Sequence, residues 1–187
     1  MVNNKRIREV CVNMPLFCSL LIEFIILLIS INSYAQNISK QYTSTLQSNG
    51  MLYYIFPQNG FKNKDINNKF IYDLTYLTEN DTIVVNFSYF DKQNLEIDSI
   101  AFTNGNKKFI STTKKIFVET TRLKWHYRYT SNFLFNDLKT FFSQENPPSI
   151  IIYTKQGLID LIIKTKRWKK QSSIINKIIT LIAYNKK

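Results

Sequence analysis

Cysteine, glycine and histidine are scarce in this chain of 187 residues, and each scarcity excludes a class of chemistry. The two cysteines, Cys11 and Cys18, both lie near the amino terminus. A single histidine, His126, is too few for a multi-histidine zinc site. We therefore expect no cofactor and no metal centre. The four glycines all lie in predicted turns, so they form no phosphate-binding loop: Gly50, Gly60, Gly105 and Gly157.

The first 35 residues have the pattern of a secretory signal peptide. Basic residues, beginning at Lys5, precede an apolar run over residues 16–31, and small residues follow at Ser33 and Ala35. We predict cleavage after Ala35 and a secreted or periplasmic product without cysteine and without a permanent membrane span. An uncleaved amino-terminal anchor is the alternative, which Glu23 within the run disfavours because a carboxylate is costly inside a membrane.

The chain is strongly basic, with a formal net charge of +12. A surface of this kind attracts polyanions. Because export makes nucleic acid an unlikely partner, we expect an anionic component of the cell envelope or a protein partner. The alternative is that the abundant lysines only keep the protein soluble.

The rest of the chain predicts one domain that is mainly β-sheet. Residues 36–50 are polar and predict a flexible lead-in, whereas residues 51–187 show short alternating runs separated by turns. Two of these runs each place apolar and aromatic residues on one strand face: Phe70, Tyr72, Leu74 and Tyr76 in the first, and Ile83, Val85, Phe87 and Tyr89 in the second. Asn136 is placed to cap a short helix that ends before Pro147, and isoleucines at helical spacing over residues 174–182 predict a terminal amphipathic helix. The fold class is therefore α+β, a mainly antiparallel β-sheet or sandwich with one short helix and a C-terminal amphipathic helix.

A basic row alternates with aromatic residues on one predicted strand. Lys124, His126 and Arg128 share one face, and the aromatic residues at positions 125, 127 and 129 share the other. The row is a candidate anion site. Two alternatives remain, namely a solvated strand face above an aromatic core and an exposed aromatic platform for sugars.

A second basic cluster precedes the terminal helix and consists of Lys164, Lys166, Arg167, Lys169 and Lys170. Cations oppose the positive end of a helix dipole, so an anion between them would explain their position. The cheaper explanation is that the helix begins later, with Ser172 as its cap.

These observations predict an exported, non-catalytic binding or accessory protein of the cell envelope. One alternative is a secreted hydrolase that uses two carboxylates across a cleft. Another is a structural subunit that pairs with a partner through an exposed sheet edge. The candidate carboxylates for the hydrolase lie on predicted strands: Asp73, Asp98, Glu119 and Asp160.

Overall fold

The computed structural model describes residues 38–63, 68–105, 107–121 and 123–186. The chain divides into two units, Met1–Lys40 and Gln41–Lys187, and the account below concerns the second unit. The predicted signal peptide lies outside the described residues. Among the helices that are described, none combines the length and the apolar character needed to cross a membrane.

The described residues of the second unit form ten strands and two helices. The helices are α1 (Phe135–Phe142) and α2 (Thr165–Asn185). The strands are β1 (Tyr42–Gln47), β2 (Gly50–Ile55), β3 (Phe61–Asn63), β4 (Lys69–Leu77), β5 (Thr82–Asp91), β6 (Ile97–Asn104), β7 (Lys107–Thr121), β8 (Lys124–Leu134), β9 (Ser149–Thr154) and β10 (Gly157–Ile162).

Eight of these strands close into an antiparallel barrel, and the predicted sandwich is therefore wrong. The order around the barrel is β3, β4, β5, β8, β7, β6, β9 and β10. Closure depends on two residue pairs between β10 and β3, Leu161 with Asn63 and Ile162 with Lys62. The β1–β2 hairpin extends the sheet beyond β4.

Long connections cross the two ends of the barrel. The segment of residues 92–96 joins β5 to β6, which lie on either side of β8 and β7, so it crosses one end of the barrel like a strap. We call this end the mouth and residues 92–96 the strap. The connection from β8 to β9 contains α1 and lies at the opposite end, where Trp168 of α2 packs its ring against Phe141 and Phe142 of α1.

The barrel interior is filled by aromatic and branched side chains that alternate along each strand. Phe70, Tyr72, Leu74 and Tyr76 of β4 are all buried, as the alternation in the sequence predicted. Small barrels of this strand number are filled by side chains along most of their length. Open space is therefore expected at the mouth, where the helices do not pack.

Several local predictions differ from the structure. The stretch expected to be a flexible lead-in contains β1, whose residues pair with the whole length of β2. Leu134, not Asn136, is the N-cap residue of α1. Helix α2 begins at Thr165 with Lys164 as its N-cap, so Ser172 lies inside the helix. The basic residues ahead of the isoleucines therefore belong to the first turns of α2.

Candidate functional site

A cavity of about 550 Å³ opens at the mouth of the barrel. Its volume lies within the range that is typical of small-molecule sites, and barrel mouths are a common place for such sites. The lining is mixed: Leu95, Leu158 and Ile159 are apolar, while Lys92 and Lys124 are cationic. We call this space the mouth cavity.

A buried polar cluster forms the floor of the mouth cavity. Asp91 is 5% exposed and Asn68 is 3% exposed. One oxygen of Asp91, Oδ2, accepts hydrogen bonds from Asn68 Nδ2 at 2.7 Å and from the Tyr89 hydroxyl at 2.9 Å. Its other oxygen, Oδ1, accepts one from the backbone N–H of Gln93 at 3.0 Å. The carboxylate is thus held by the protein and has donors on both oxygens.

Burial raises the pKa of Tyr89 well above its usual range, and the neighbouring Asp91 carboxylate acts in the same direction. The phenol therefore stays protonated and remains a hydrogen-bond donor to Asp91. Asn68 and Tyr89 both donate to the Asp91 carboxylate, and a hydrogen-bond network in which each donor faces an acceptor is rigid.

The cations of the mouth cavity have fewer hydrogen-bond partners than its carboxylate has. Lys124 Nζ donates one hydrogen bond, to Asn68 Oδ1 at 3.1 Å, and an ammonium group has two further N–H donors. In the described part of the chain, Lys92 has neither a hydrogen bond nor an ion pair. The cavity therefore offers unused cationic donors, whereas Asp91 already has three donors of its own.

The strap is fixed across the mouth at several points. The Tyr127 hydroxyl accepts a hydrogen bond from the backbone N–H of Leu95 and donates one to the carbonyl of Gln93, both at 2.8 Å. On the other side of the mouth, Glu96 forms an ion pair with Lys155 at 2.8 Å. These contacts hold Leu95 in place, with its side chain buried.

A second cavity of about 470 Å³ is lined in part by the same strap. It shares Leu95 and Gln156 with the mouth cavity, so these two residues lie between the two spaces. Trp125 and Tyr129 of β8 and Lys115 of β7 also line it. We call this space the strap cavity.

The row Lys124, His126 and Arg128 does not act as one site. Lys124 lies at the mouth, whereas the other two are on the outer wall with acidic partners. His126 Nδ1 is 3.0 Å from Glu119 Oε1, and Arg128 Nη2 donates to Asp73 Oδ2 at 2.5 Å. The intervening rings of Tyr127 and Tyr129 are buried inside the barrel, so they form no exposed sugar platform.

Ser88, His126 and Glu119 have the hydrogen-bond order of a catalytic triad. Ser88 Oγ is 3.1 Å from His126 Nε2, and the imidazole is stacked on the ring of Phe90. Ser88, however, lies mid-strand between β4 and β8, opposite Ile71 and Arg128, so the sheet ladder uses its backbone. A triad enzyme needs free donors for an oxyanion and a concave site. We interpret these contacts as a cross-strand network that stabilises the wall.

The second basic cluster is distributed along α2. Lys164 and Arg167 line a cavity of about 250 Å³ together with Lys62, and this cavity meets the mouth cavity at Asn63. No acidic residue lies in the first turn of α2, and no side chain caps it. The remaining members are exposed on the helix: Lys166, Lys169 and Lys170.

Among the described residues, neither cavity at the mouth brings together the two carboxylates that the hydrolase hypothesis requires. The mouth cavity contains one carboxylate, Asp91, and the strap cavity contains one, Glu96. Asp73 and Glu119 are engaged on the outer wall, as described above. Among the described residues, no group of three potential metal ligands comes together.

The sequence interpretation missed the floor residues of the mouth cavity. The signal for Asp91 was present, because it follows Phe87 and Tyr89 at strand period on the buried face of β5. A carboxylate at such a position requires partners. Asn68 gave no signal of its own, since its role depends on where β4 begins.

Comparisons with models of protein families, with curated proteins and with solved structures found no match.

Proposed function

We propose that the protein is a non-catalytic binding protein whose mouth cavity takes a small ligand with an anionic group. Lys92 and Lys124 supply the charge, and the floor of Asn68 and Asp91 fixes the position of Lys124. The apolar residues Leu95, Leu158 and Ile159 accommodate the ligand's uncharged part. A headgroup or a fragment of an anionic envelope polymer has this chemistry.

The proposal includes export. It rests on the basic start, apolar run and small residues of positions 1–35, which together have the order of a cleavable signal peptide. A cysteine-free mature chain fits an oxidising compartment, since no thiol is left to mispair. The amino-terminal sequence of the protein recovered from its native host tests this part of the proposal.

The observation that carries the proposal is that the carboxylate in the mouth cavity has more hydrogen-bond partners in the protein than the cations have. Asp91 accepts three hydrogen bonds from the protein, whereas Lys124 donates one. Moreover, Lys92 has no partner among the described residues. A ligand anion gains donors there without competing against an internal carboxylate.

The test is equilibrium binding of naphthalene-1-sulfonate, measured by isothermal titration calorimetry at low and at high salt. We expect affinity to fall as salt rises, because partly exposed charges are screened. The double variant Lys92→Gln and Lys124→Gln should bind at least about tenfold more weakly, which corresponds to about 1.4 kcal/mol.

A matched control removes the same charge from another surface. The double variant Lys166→Gln and Lys170→Gln lowers the net charge equally, but both side chains are exposed on α2. It should retain the wild-type affinity. If both double variants lose affinity to the same extent, binding reflects the overall charge and the mouth cavity is not the site.

A second candidate function, strand pairing, is favoured by the outer edge of β1, which pairs with no strand in the described part of the chain and is called the free edge below. In a chain of net charge +12, residues 41–60 contain no charged residue. This stretch includes the exposed side chains of Leu46, Tyr54 and Phe56. Proteins usually protect an edge strand with charge or proline. Since β1 has neither, we infer that it pairs with a second copy of this chain. The positive charge of the two copies opposes contact through their other surfaces, whereas this stretch is uncharged.

The pattern of hydrogen bonds identifies the free edge. The Met51 N–H donates to the Thr78 hydroxyl and the Met51 carbonyl accepts from the Thr78 N–H, whereas the Phe56 N–H donates to the Gln41 carbonyl on the β1 side. Because backbone groups alternate along antiparallel strands, the N–H and C=O groups of Ser44 point away from β2. The neighbouring positions Tyr42 and Leu46 share this direction, so the strand offers three residues for pairing.

A further inference from the structure

Trp125 and Trp168, the two tryptophans of the chain, have different surroundings. Trp168 is fully buried and contacts the rings of Phe61, Phe141 and Phe142. Its indole N–H donates to the carbonyl of Gln144 at 2.9 Å. The ring of Trp168 and its indole N–H therefore both have partners within the protein.

Trp125 lines the strap cavity and is only partly buried. Within the described residues, its ring makes no contact with another aromatic ring and its indole N–H has no acceptor. An indole that lines a cavity, with no aromatic partner and an unused N–H donor, can stack on a planar group. Tyr129, Leu95 and Val118 lie beside it in the same lining, and the remaining lining residues are polar or charged: Asn94, Glu96, Lys115 and Gln156.

The strap cavity and the mouth cavity lie side by side. They share Leu95 and Gln156, and their volumes are about 550 and 470 Å³. The mouth cavity contains Lys92 and Lys124, and the strap cavity contains the unstacked indole together with Lys115 and Glu96. One ligand that occupies both would present an anionic group to the first and a ring to the second.

We propose that the strap cavity is a subsite for a planar ring, so that the preferred ligand is an aromatic anion. The anionic group binds Lys92 and Lys124, and the ring stacks on Trp125. The inference rests on the proposed function of the mouth cavity and adds the ligand's second part.

The experiment compares two sulfonates that share a head group and differ in the ring. Naphthalene-1-sulfonate has a planar ring, and hexane-1-sulfonate has a flexible alkyl chain. Affinities are measured by calorimetry for the wild type and for Trp125→Leu, which keeps an apolar side chain but removes the indole. Fluorescence of the remaining Trp168 follows thermal unfolding and shows whether the variant keeps its fold.

We expect Trp125→Leu to bind naphthalene-1-sulfonate about three- to tenfold more weakly and to bind hexane-1-sulfonate as the wild type does. Equal affinities of wild type and Trp125→Leu for naphthalene-1-sulfonate would overturn the subsite, and so would an equal loss for both sulfonates. The proposed function fails separately. It fails if the wild type binds neither sulfonate, or if removal of Lys92 and Lys124 charge leaves both affinities unchanged.

Discussion

Lys124 and Asp91 are joined through the side-chain amide of Asn68. Lys124 Nζ donates to Asn68 Oδ1 at 3.1 Å, and Asn68 Nδ2 donates to Asp91 Oδ2 at 2.7 Å. The amide thus binds a cation through its oxygen and a carboxylate through its nitrogen, and it fixes the position of the ammonium group at the mouth. The barrel has a positioned cation where its interior meets solvent.

Neutralising Asp91 should destabilise the fold. In Asp91→Asn, an amide N–H₂ group replaces one carboxylate oxygen. In place of Oδ2 it would face the Tyr89 hydroxyl and Asn68 Nδ2, and in place of Oδ1 it would face the Gln93 N–H, so in either position it meets donors. A buried donor left without an acceptor costs about 1–3 kcal/mol. We expect urea unfolding to show this loss.

The control for that measurement is Asp98→Asn on β6, where the side chain is exposed. Its free energy of unfolding should stay within about 0.5 kcal/mol of wild type. Equal stability of both variants would mean that the polar floor of the mouth does not hold Asp91 as described.

Alkaline pH should destabilise the protein through its buried phenols. Burial raises the pKa of four tyrosines above the ordinary value of 10.0, and they are Tyr72, Tyr89, Tyr127 and Tyr129. Their stabilising contribution is complete below pH 10, because the folded and the unfolded states are both protonated there. Above pH 10 the unfolded chain releases protons that the folded chain retains, so the free energy of unfolding falls.

Absorbance at 295 nm checks the titration directly. These four tyrosines should ionise only as the protein unfolds, so part of the rise in absorbance should occur above pH 10 and accompany unfolding. A single step near pH 10, with the far-ultraviolet circular dichroism unchanged, would contradict the burial of these phenols.

Phe141 connects α1 to the barrel interior. Its ring lies 4.8 Å from that of Phe102 on β6 and 5.5 Å from that of Trp168 on α2. Phe141→Ala should cost about 3–5 kcal/mol, as measured by chemical unfolding, because it leaves a cavity among three elements. Leu123→Ala, at a side chain that is 88% exposed, should change the stability by no more than about 0.5 kcal/mol. A loss below 1 kcal/mol for Phe141→Ala would contradict the packing of α1 on the barrel.

The free edge of β1 predicts self-association. Proline at Ser44 removes an N–H that points away from β2 and keeps the pairing bonds of the hairpin. We expect light scattering after size exclusion to show dimers for the wild type and monomers for Ser44→Pro. Thr45→Val is the control, since its backbone faces β2 and valine suits a strand. A wild type that stays monomeric at high concentration would contradict pairing through β1.

The alternation of the sequence predicted the interior faces of β4 and β5 well, because one face of each strand is apolar. Closure of the barrel was beyond such reasoning. It depends on β3, which has three residues and is too short to show alternation, and on two residue pairs with β10. A sandwich and a barrel have the same alternating strands, so only the pairing of distant strands distinguishes them.

The candidate site was predictable only in part. Lys124 was named from its position in a basic row, yet it contacts Asn68 at the mouth, whereas His126 pairs with Glu119 of β7 and Arg128 pairs with Asp73 of β4. The start of α2 was also missed. Sequence rules place cations away from the first turn of a helix, and here packing of Trp168 on α1 outweighs that preference.

The most direct test of the account is a crystal structure of the protein with 4-iodobenzenesulfonate, whose iodine can be located by anomalous scattering. We predict sulfonate oxygens within about 3 Å of the Nζ atoms of Lys92 and Lys124, and the iodinated ring against Trp125. Sulfonate density on the basic turns of α2, with both cavities at the mouth free of the compound, would contradict it.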